Sequence, residues 1–204
     1  MNTLLKFSAV LIIVAVAFVS LRLTEKPVKK HEIEDVAKQR LQNNAAKALK
    51  FVTGKKDYND SLVFLIDMKI PIRKNRFFVY NLKQQKVVDL GLVAHGDGSH
   101  KDNGDLVFSN VNNSHCTSLG KYSVGVSYVG KYGKSYKLHG LDETNSNAFD
   151  RNIVLHAYED MPSEENTDPV YLSFGCPMVS TKFFKRLEPI IDSSDKKILL
   201  WIYY

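Results

Sequence analysis

Residues 61–70 of this 204-residue chain have the sequence SLVFLIDMKI, a short run in which apolar side chains predominate. Further short runs rich in Val, Ile, Phe and Tyr follow it, at residues 76–82, 86–95, 105–111, 121–129, 135–141, 151–158 and 197–204. Turn-forming pairs separate these runs, for example Asp97-Gly98, Asn103-Gly104 and Asn112-Asn113. Short runs of this composition between turn signals are typical of strands. The pattern therefore predicts a mostly β domain, with mixed sheets curled into a β-sandwich or a partial barrel.

Two helices accompany the predicted strands. Apolar residues recur at helical spacing from Ile33 to Val52, which predicts an amphipathic helix that ends near Gly54. A second, short helix is predicted at residues 181–191, after the loop that contains Cys176. We expect three segments along the chain: a signal peptide or membrane anchor at 1–23, a linker and the amphipathic helix at 24–54, and the β domain at 55–204.

An apolar segment near the N-terminus indicates export. Residues 7–21, FSAVLIIVAVAFVSL, follow Lys6, and a short positive region before an apolar run has the form of a secretory signal. The run is shorter than the roughly 20 residues of a membrane-spanning helix, and its Ala-Val-Ala cleavage signal lies inside the apolar stretch. A cleaved signal peptide and a membrane anchor remain alternatives. Either one predicts a protein exported to the periplasm or cell envelope, and the flanking charges disfavour a buried core helix.

Composition is that of an ordinary folded protein. Apolar residues make up 44% and charged residues 25% of the chain, which excludes a disordered or membrane-embedded architecture for most of it. Two cysteines are too few for a disulfide-rich scaffold or a four-thiolate zinc site. The net charge of +6 favours anionic partners such as nucleic acid, an anionic membrane or a cell-wall polymer. Because the export segment argues against a cytoplasmic nucleic-acid binder, we expect no nucleic-acid partner.

Most sequence patterns of catalysis are missing. The aspartates lack the spacing of a two-carboxylate hydrolase, and neither a Gly-x-Gly-x-x-Gly turn nor a Walker-type loop occurs. The histidines in the middle of the chain have no metal-ligand spacing: His95, His100, His115 and His139. We therefore predict no metal site, and we expect no organic cofactor.

Residues 173–177, Ser-Phe-Gly-Cys-Pro, are the informative stretch for chemistry. Cys176 lies twenty residues after His156, which ends a predicted strand, and a predicted helix follows the Cys176 loop. An imidazole and a helix N-terminus both favour a thiolate, so we expect the pKa of Cys176 to lie below its ordinary value. A thiolate beside an imidazole is what acyl transfer through a thioester requires. Backbone N–H groups at Gly175 and Cys176 would stabilise the oxyanion.

The same residues resemble a known family. A strand-borne His followed by Ser-x-Gly-Cys is similar to the catalytic signature of YkuD-type L,D-transpeptidases, in particular the branch called the murein L,D-transpeptidase catalytic domain family. The resemblance spans roughly residues 62–191 and keeps its order through the segments 94–99, 108–110, 118–120, 128–133, 138–141 and 173–179. It implies the L,D-transpeptidase fold for the β domain, with Cys176 as the nucleophile and His156 as the base.

The resemblance also implies supporting roles. Ser173 and Gly175 would shape the loop that holds the Cys–His pair. Many family members have an Arg shortly after the catalytic Cys, where this chain has Pro177-Met178, and we expect Arg151 to supply the substrate-binding cation instead. Many members also have a His inside Ser-x-Gly-Cys, where this chain has Phe174.

The implied function is cysteine-dependent acyl transfer on peptidoglycan stem peptides, for crosslinking or remodelling the cell wall. An L,D-carboxypeptidase with the same Cys–His pair and a non-catalytic cell-wall-binding module remain alternatives. Cys176 itself has two non-catalytic alternatives, a buried structural thiol and a disulfide with Cys116. The presence of both Cys176 and His156 favours an enzyme, because a binding module needs neither.

Overall fold

The computed structural model describes residues 30–165 and 170–204. The predicted export segment, residues 1–23, and most of the predicted linker therefore lie outside the described residues. Residues 37–204 form one structural unit, and the packing described below lies within it. In the described ranges, no helix combines the length and the apolar character that crossing a membrane requires.

The predicted amphipathic helix is present as α1, Lys30–Val52. Its buried residues recur at intervals of three and four and therefore share one face: Leu41, Ala45, Ala48 and Val52. This face packs against one side of the sheet, in a cluster that includes Val63 and Leu199. The chain leaves the helix through Gly54, whose φ of 78° is the left-handed conformation common just after helix ends.

Eight strands form one mixed sheet in the order β3-β2-β1-β8-β4-β5-β6-β7. Their bounds are β1 Tyr58–Asp67, β2 Phe77–Asn81, β3 Lys86–Gly91, β4 Gly120–Gly130, β5 Gly133–Gly140, β6 Val154–Tyr158, β7 Met178–Ser180 and β8 Lys197–Tyr203. The pairs β1–β8 and β6–β7 are parallel, and the other neighbours are antiparallel. A second helix, α2 Thr181–Asp192, follows β7 directly.

The central strands are buried on both faces, which explains their unbroken apolar sequence. In β1, Val63 and Leu65 belong to the cluster under α1. The alternate residues Phe64 and Ile66 belong to the main core on the other face, together with Phe183 of α2. Because side chains alternate across a strand, a strand covered on both sides needs apolar residues at every position.

The sheet curls until its two edges approach each other. Just after β3, at one edge, the Ala94 N–H donates a 2.8 Å hydrogen bond to the carbonyl oxygen of Met178 in β7, at the other edge. This bridge closes the sheet into a partial barrel. The predicted mostly β fold with one preceding helix and one short following helix is therefore confirmed, with the strands in a single sheet.

Two details of the strand pattern were predicted wrongly. Residues 105–111 form no strand, and their one ladder contact is an isolated bridge between Leu106 and His100. Leu106 and Phe108 instead cover the main core from a loop, which accounts for their apolar character. The three-residue strand β7 lay within no predicted strand, because so short a segment shows no alternation.

Candidate active site

The strand pair β6–β7 brings Cys176 next to the strand of His156. The parallel register pairs His156 with Met178, so Cys176, two residues earlier, lies level with Val154. The Val154 N–H donates to Cys176 Sγ over 3.4 Å. The thiol also lies 3.8 Å from the carbonyl oxygen of Asn152. Cys176 therefore lies beside the N-terminal end of β6, the strand that carries His156.

Ser173 holds the loop that leads to Cys176. Its hydroxyl donates to the Cys176 carbonyl oxygen over 2.6 Å and accepts from the Gly175 N–H over 3.2 Å. Its backbone N–H donates to the His95 carbonyl oxygen over 3.0 Å. Ser173 is itself buried, so its hydroxyl is held for these contacts and is shielded from solvent. The loop is thereby closed on itself and attached to the segment that follows β3.

Gly175 occupies a position that no other residue could fill without strain. Its φ is 110°, and a Cβ atom there would lie 2.7 Å from the Cys116 carbonyl oxygen. The Gly175 N–H is engaged by the Ser173 hydroxyl. The sequence assigned this N–H to the oxyanion together with that of Cys176. Among the described residues the Cys176 N–H has no hydrogen-bond acceptor, so this donor is unoccupied.

His156 is buried, and its contacts select one tautomer. Nδ1 lies 2.9 Å from the Ala157 carbonyl oxygen. Because a carbonyl oxygen only accepts hydrogen bonds, Nδ1 carries the proton and Nε2 has a free lone pair. The ring of Tyr132 stacks on the imidazole, with centroids 4.6 Å apart and planes 23° from parallel. The imidazole is therefore fixed in orientation and able to accept a proton at Nε2.

The electrostatics of the site favour a neutral pair at rest. Burial lowers the pKa of His156, and the hydrogen bond to the Ala157 carbonyl only partly offsets this. Burial likewise raises the pKa of the Cys176 thiol above its ordinary value, against smaller opposing effects of the Val154 N–H, Arg151 and Lys137. The sequence predicted a lowered thiol pKa, which is wrong for this structure because burial outweighs the neighbouring positive charge. Both shifts favour the neutral forms, a thiol at Cys176 and an imidazole at His156.

Arg151, expected to bind substrate, is engaged by the protein itself. One Nη group donates to the Ser109 carbonyl oxygen over 2.9 Å and to the Ser118 hydroxyl. The other donates to the Cys116 carbonyl oxygen over 2.6 Å. A substrate could bind these groups only in place of those contacts. In this structure Arg151 fastens residues 109–118 beside the Cys176 loop.

Neither described cysteine is in a disulfide. The Cys116 thiol is buried and donates to the Gly98 carbonyl oxygen over 3.0 Å. The disulfide alternative for Cys116 and Cys176 is therefore absent from this structure. In the described ranges, no group of three or more His, Cys, Asp or Glu side chains is arranged to hold a metal ion.

Sequence reasoning missed two neighbours of the candidate pair, Tyr132 and Asn152. Tyr132 lies at the end of the β4–β5 hairpin, and nothing in its local sequence shows that the hairpin folds back over His156. Asn152 has a φ of 55°, and its carbonyl oxygen faces the Cys176 thiol. An Asn just before a strand is a weak signal of such a left-handed position.

A family match covers most of the chain. A family model described as L,D-transpeptidase catalytic domain matches residues 32–203. The chain therefore belongs to the L,D-transpeptidase catalytic domain family, which supports an enzyme of this family. Membership supports a peptidoglycan-related activity. No curated protein sequence matches the chain.

Several solved structures are similar at low identity. The L,D-transpeptidase from Xylanimonas cellulosilytica is 14% identical, with a TM-score of 0.39, over 70% of this chain and 60% of that one. The helical cell shape determining protein Pgp2 from Campylobacter jejuni is 14% identical, with a TM-score of 0.47, over 76% and 52%. The L,D-transpeptidase from Mycobacterium smegmatis is 10% identical, with a TM-score of 0.41, over 71% and 59%. This chain therefore spans little more than half the length of these three, and likenesses so distant say nothing about its substrate.

Proposed function

We propose that this protein transfers acyl groups on peptidoglycan stem peptides, with Cys176 as the nucleophile and His156 as the base. The observation that carries the proposal is the tautomer of His156. The Ala157 carbonyl holds the Nδ1 proton, so Nε2 can accept a proton. His156 lies on β6, and Val154 of the same strand contacts the Cys176 thiol. Family membership supports peptidoglycan as the substrate class.

The first half-reaction forms a thioester. As Cys176 Sγ attacks the carbonyl carbon of the L,D-peptide bond before a terminal D-amino acid, the thiol proton passes to His156 Nε2. The N–H of Cys176 donates to the oxyanion. The C–N bond then breaks, the imidazolium gives its proton to the departing amine, and the D-amino acid leaves. Ser173 and Gly175 support this step by holding the loop.

The second half-reaction decides the product. An amine from a second stem peptide resolves the thioester to a crosslink, which makes the protein a transpeptidase. Water resolves it to a shortened stem, which makes the protein an L,D-carboxypeptidase. Both reactions take place on the wall, so we place the protein in the periplasm or cell envelope, held there or delivered there by residues 1–23.

The test is release of the terminal D-amino acid from muropeptides by the wild-type protein and by Cys176→Ser. Serine keeps a hydroxyl at this position but ionises far less readily, so we expect release to fall by several orders of magnitude while thermal stability is kept. If Cys176 is only a structural thiol, the substitution lowers stability and there is no release to lose.

A non-catalytic wall-binding module makes a different prediction. The wild-type protein would bind peptidoglycan in a pull-down, release no D-amino acid and form no crosslinks. Cys176→Ser would then bind as well as the wild type. This outcome would overturn the proposed reaction and keep the wall as the partner.

A further inference from the structure

Lys137 is a half-buried lysine on β5, two strands from the Cys176 loop. The antiparallel register places it opposite Val154 of β6. Val154 is also the residue whose N–H donates to Cys176 Sγ, on the other side of the same strand. Lys137, Val154 and Cys176 therefore lie in one row across the sheet, with a single strand between the lysine and the thiol.

Two aromatic rings and an amide hold the Lys137 ammonium group. Its Nζ lies 5.0 Å from the ring centroid of Tyr128 and 5.5 Å from that of Phe149. It also donates to Asn152 Oδ1 over 3.1 Å. Aromatic faces and amide oxygens attract a cation without carrying a net negative charge. Among the described residues Lys137 forms no ion pair, so its positive charge is not neutralised.

The ring of Phe149 is itself held in place. It stacks on the imidazole of His139, with centroids 5.2 Å apart and planes 17° from parallel. His139 follows Lys137 by two residues on β5, so both side chains lie on the same face of the strand. Phe149 is exposed and adds little to the core. Its contacts with these two side chains fix the ammonium beside the turn that precedes β6.

Asn152, in that turn, is held through its side chain. Oδ1 accepts from Lys137, and Nδ2 lies 3.5 Å from the carbonyl oxygen of Asp150. The backbone of Asn152 is left-handed, with a φ of 55°. This conformation costs free energy in any residue other than glycine, and it persists where neighbouring groups enforce it. The contact with Lys137 is one of the interactions that enforce it here.

The left-handed turn directs the Asn152 carbonyl oxygen to the thiol, at 3.8 Å from Cys176 Sγ. The Val154 N–H donates to the same sulfur over 3.4 Å. The sulfur thus has an acceptor for its proton and a donor to its lone pair, which together restrict the side chain to one orientation. Lys137 contributes to that orientation through Asn152.

Lys137 is also one of the few charges that act on the thiol. Burial raises the pKa of Cys176, and both Arg151 and Lys137 oppose this shift. Two further titratable groups lie near and are neutral, because burial raises the pKa of Tyr122 on β4 and lowers that of His156 on β6. No acidic side chain of the described residues contributes to the shift of the thiol. The surroundings of the sulfur therefore contain two cations and no counter-charge.

We infer that Lys137 is a positioning residue for the nucleophile: it holds Asn152 against the thiol and supplies positive charge where the thiolate forms. This inference rests on the proposed function, in which Cys176 attacks the substrate. When the thiol proton leaves, the sulfur becomes negative in a partly buried site, where a nearby ammonium group stabilises it more than it would in water.

The test is the pH dependence of Cys176 alkylation by iodoacetamide, with peptide mapping to separate it from Cys116. Two charge-free variants, Lys137→Gln and Lys137→Met, guard against a misfolded one, and a thermal melt checks each. We expect both to raise the midpoint of the profile by about 0.5–1 pH unit, so that the thiolate fraction at neutral pH falls about three- to tenfold. Lys137→Arg keeps the charge and should restore most of the wild-type midpoint.

The matched control is Lys86→Gln, which changes the net charge equally at an exposed lysine of β3. We expect it to leave the midpoint unchanged. A wild-type midpoint in the folded charge-free variants would overturn the inference, and so would an equal shift in Lys86→Gln or in Lys137→Arg. Alkylation needs no substrate, so the outcome is separate from that of the proposed function. A wild type that alkylates at Cys176 but neither releases a D-amino acid nor forms crosslinks would overturn the proposed function alone.

Discussion

Two buried histidines, His95 and His156, lie on opposite sides of the loop that leads to Cys176, and they differ in which nitrogen carries the proton. His95 Nδ1 accepts a 2.9 Å hydrogen bond from the buried guanidinium of Arg76, so the His95 proton is on Nε2. His156 Nδ1 donates to the Ala157 carbonyl, so its proton is on Nδ1. At Nε2, the neutral His95 ring can therefore only donate a hydrogen bond, whereas the neutral His156 ring can only accept one.

Electrostatics widen this difference. Burial and the Arg76 charge lower the pKa of His95 to about 3, so this ring is neutral at every physiological pH. His156 also has a lowered pKa, but no positive side chain contributes to the shift. Two equally buried imidazoles thus differ in whether Nε2 can accept a proton, and the partner at Nδ1 decides this difference.

The largest effect is expected from His156→Gln. Glutamine keeps a polar side chain of similar length but cannot take a proton from the thiol. We expect acyl-enzyme formation to slow by about 10²–10⁴-fold, the usual contribution of a general base, with the melting temperature little changed. Stopped-flow or mass-based acylation kinetics measure this effect. A variant with wild-type kinetics would show that the base is elsewhere.

The loop between the two histidines gives the next effect. We expect Gly175→Ala to slow acylation on the order of 100-fold, because its Cβ would meet the Cys116 carbonyl oxygen and displace the thiol. Gly133→Ala is the matched control, since Gly133 also has a positive φ but nothing lies near its added Cβ. Equal acylation rates in the two variants would mean that the position of the loop is unimportant.

For His95 the expected effect is on stability. His95→Leu deprives a buried Arg76 nitrogen of one acceptor, which should lower the free energy of unfolding by about 1–3 kcal/mol. Glutamine can still accept at this position, so His95→Gln should recover part of the loss. Urea denaturation measures both variants. If His95→Leu instead abolished acylation without loss of stability, His95 would have the role assigned here to His156.

The last effect concerns pH. In the unfolded chain His95 takes up a proton below about pH 6.5, whereas the folded protein resists protonation down to about pH 3. The unfolded state therefore binds more protons in this window, so stability is full above pH 6.5 and falls as the pH drops. His95→Gln should flatten the dependence of unfolding free energy on pH between 6.5 and 4.5. Identical slopes in variant and wild type would contradict this assignment.

Local pattern was enough to predict the larger elements. Short apolar runs between turn signals, such as 61–70, predicted the mostly β fold, and the helical spacing of apolar residues predicted α1. Both signals are local, because they depend on composition and spacing within a single element. The loop at 105–111 was mistaken for a strand, because an apolar segment that covers a core has the same composition as one that pairs.

The site was only partly predictable. The Ser-x-Gly-Cys motif and a His at a strand end pointed to Cys176 and His156. The direction of the thiol pKa was not predictable, because it depends on burial that no local sequence shows. Nor could the contacts of Arg151 be foreseen, since its partners lie more than thirty residues away along the chain.

The most direct test of the Cys176 assignment is intact-protein mass spectrometry after exposure to a carbapenem. A thiol attacks the carbonyl carbon of its strained lactam as it would attack the proposed substrate, but the ring opens and the amine stays attached, so the adduct keeps the whole mass of the reagent. Cys116 is an internal control, because it is the chain's other cysteine and is buried. We expect a single adduct that peptide mapping assigns to Cys176 and that is missing from Cys176→Ser. An adduct on Cys116, or no adduct on the wild-type protein, would contradict it.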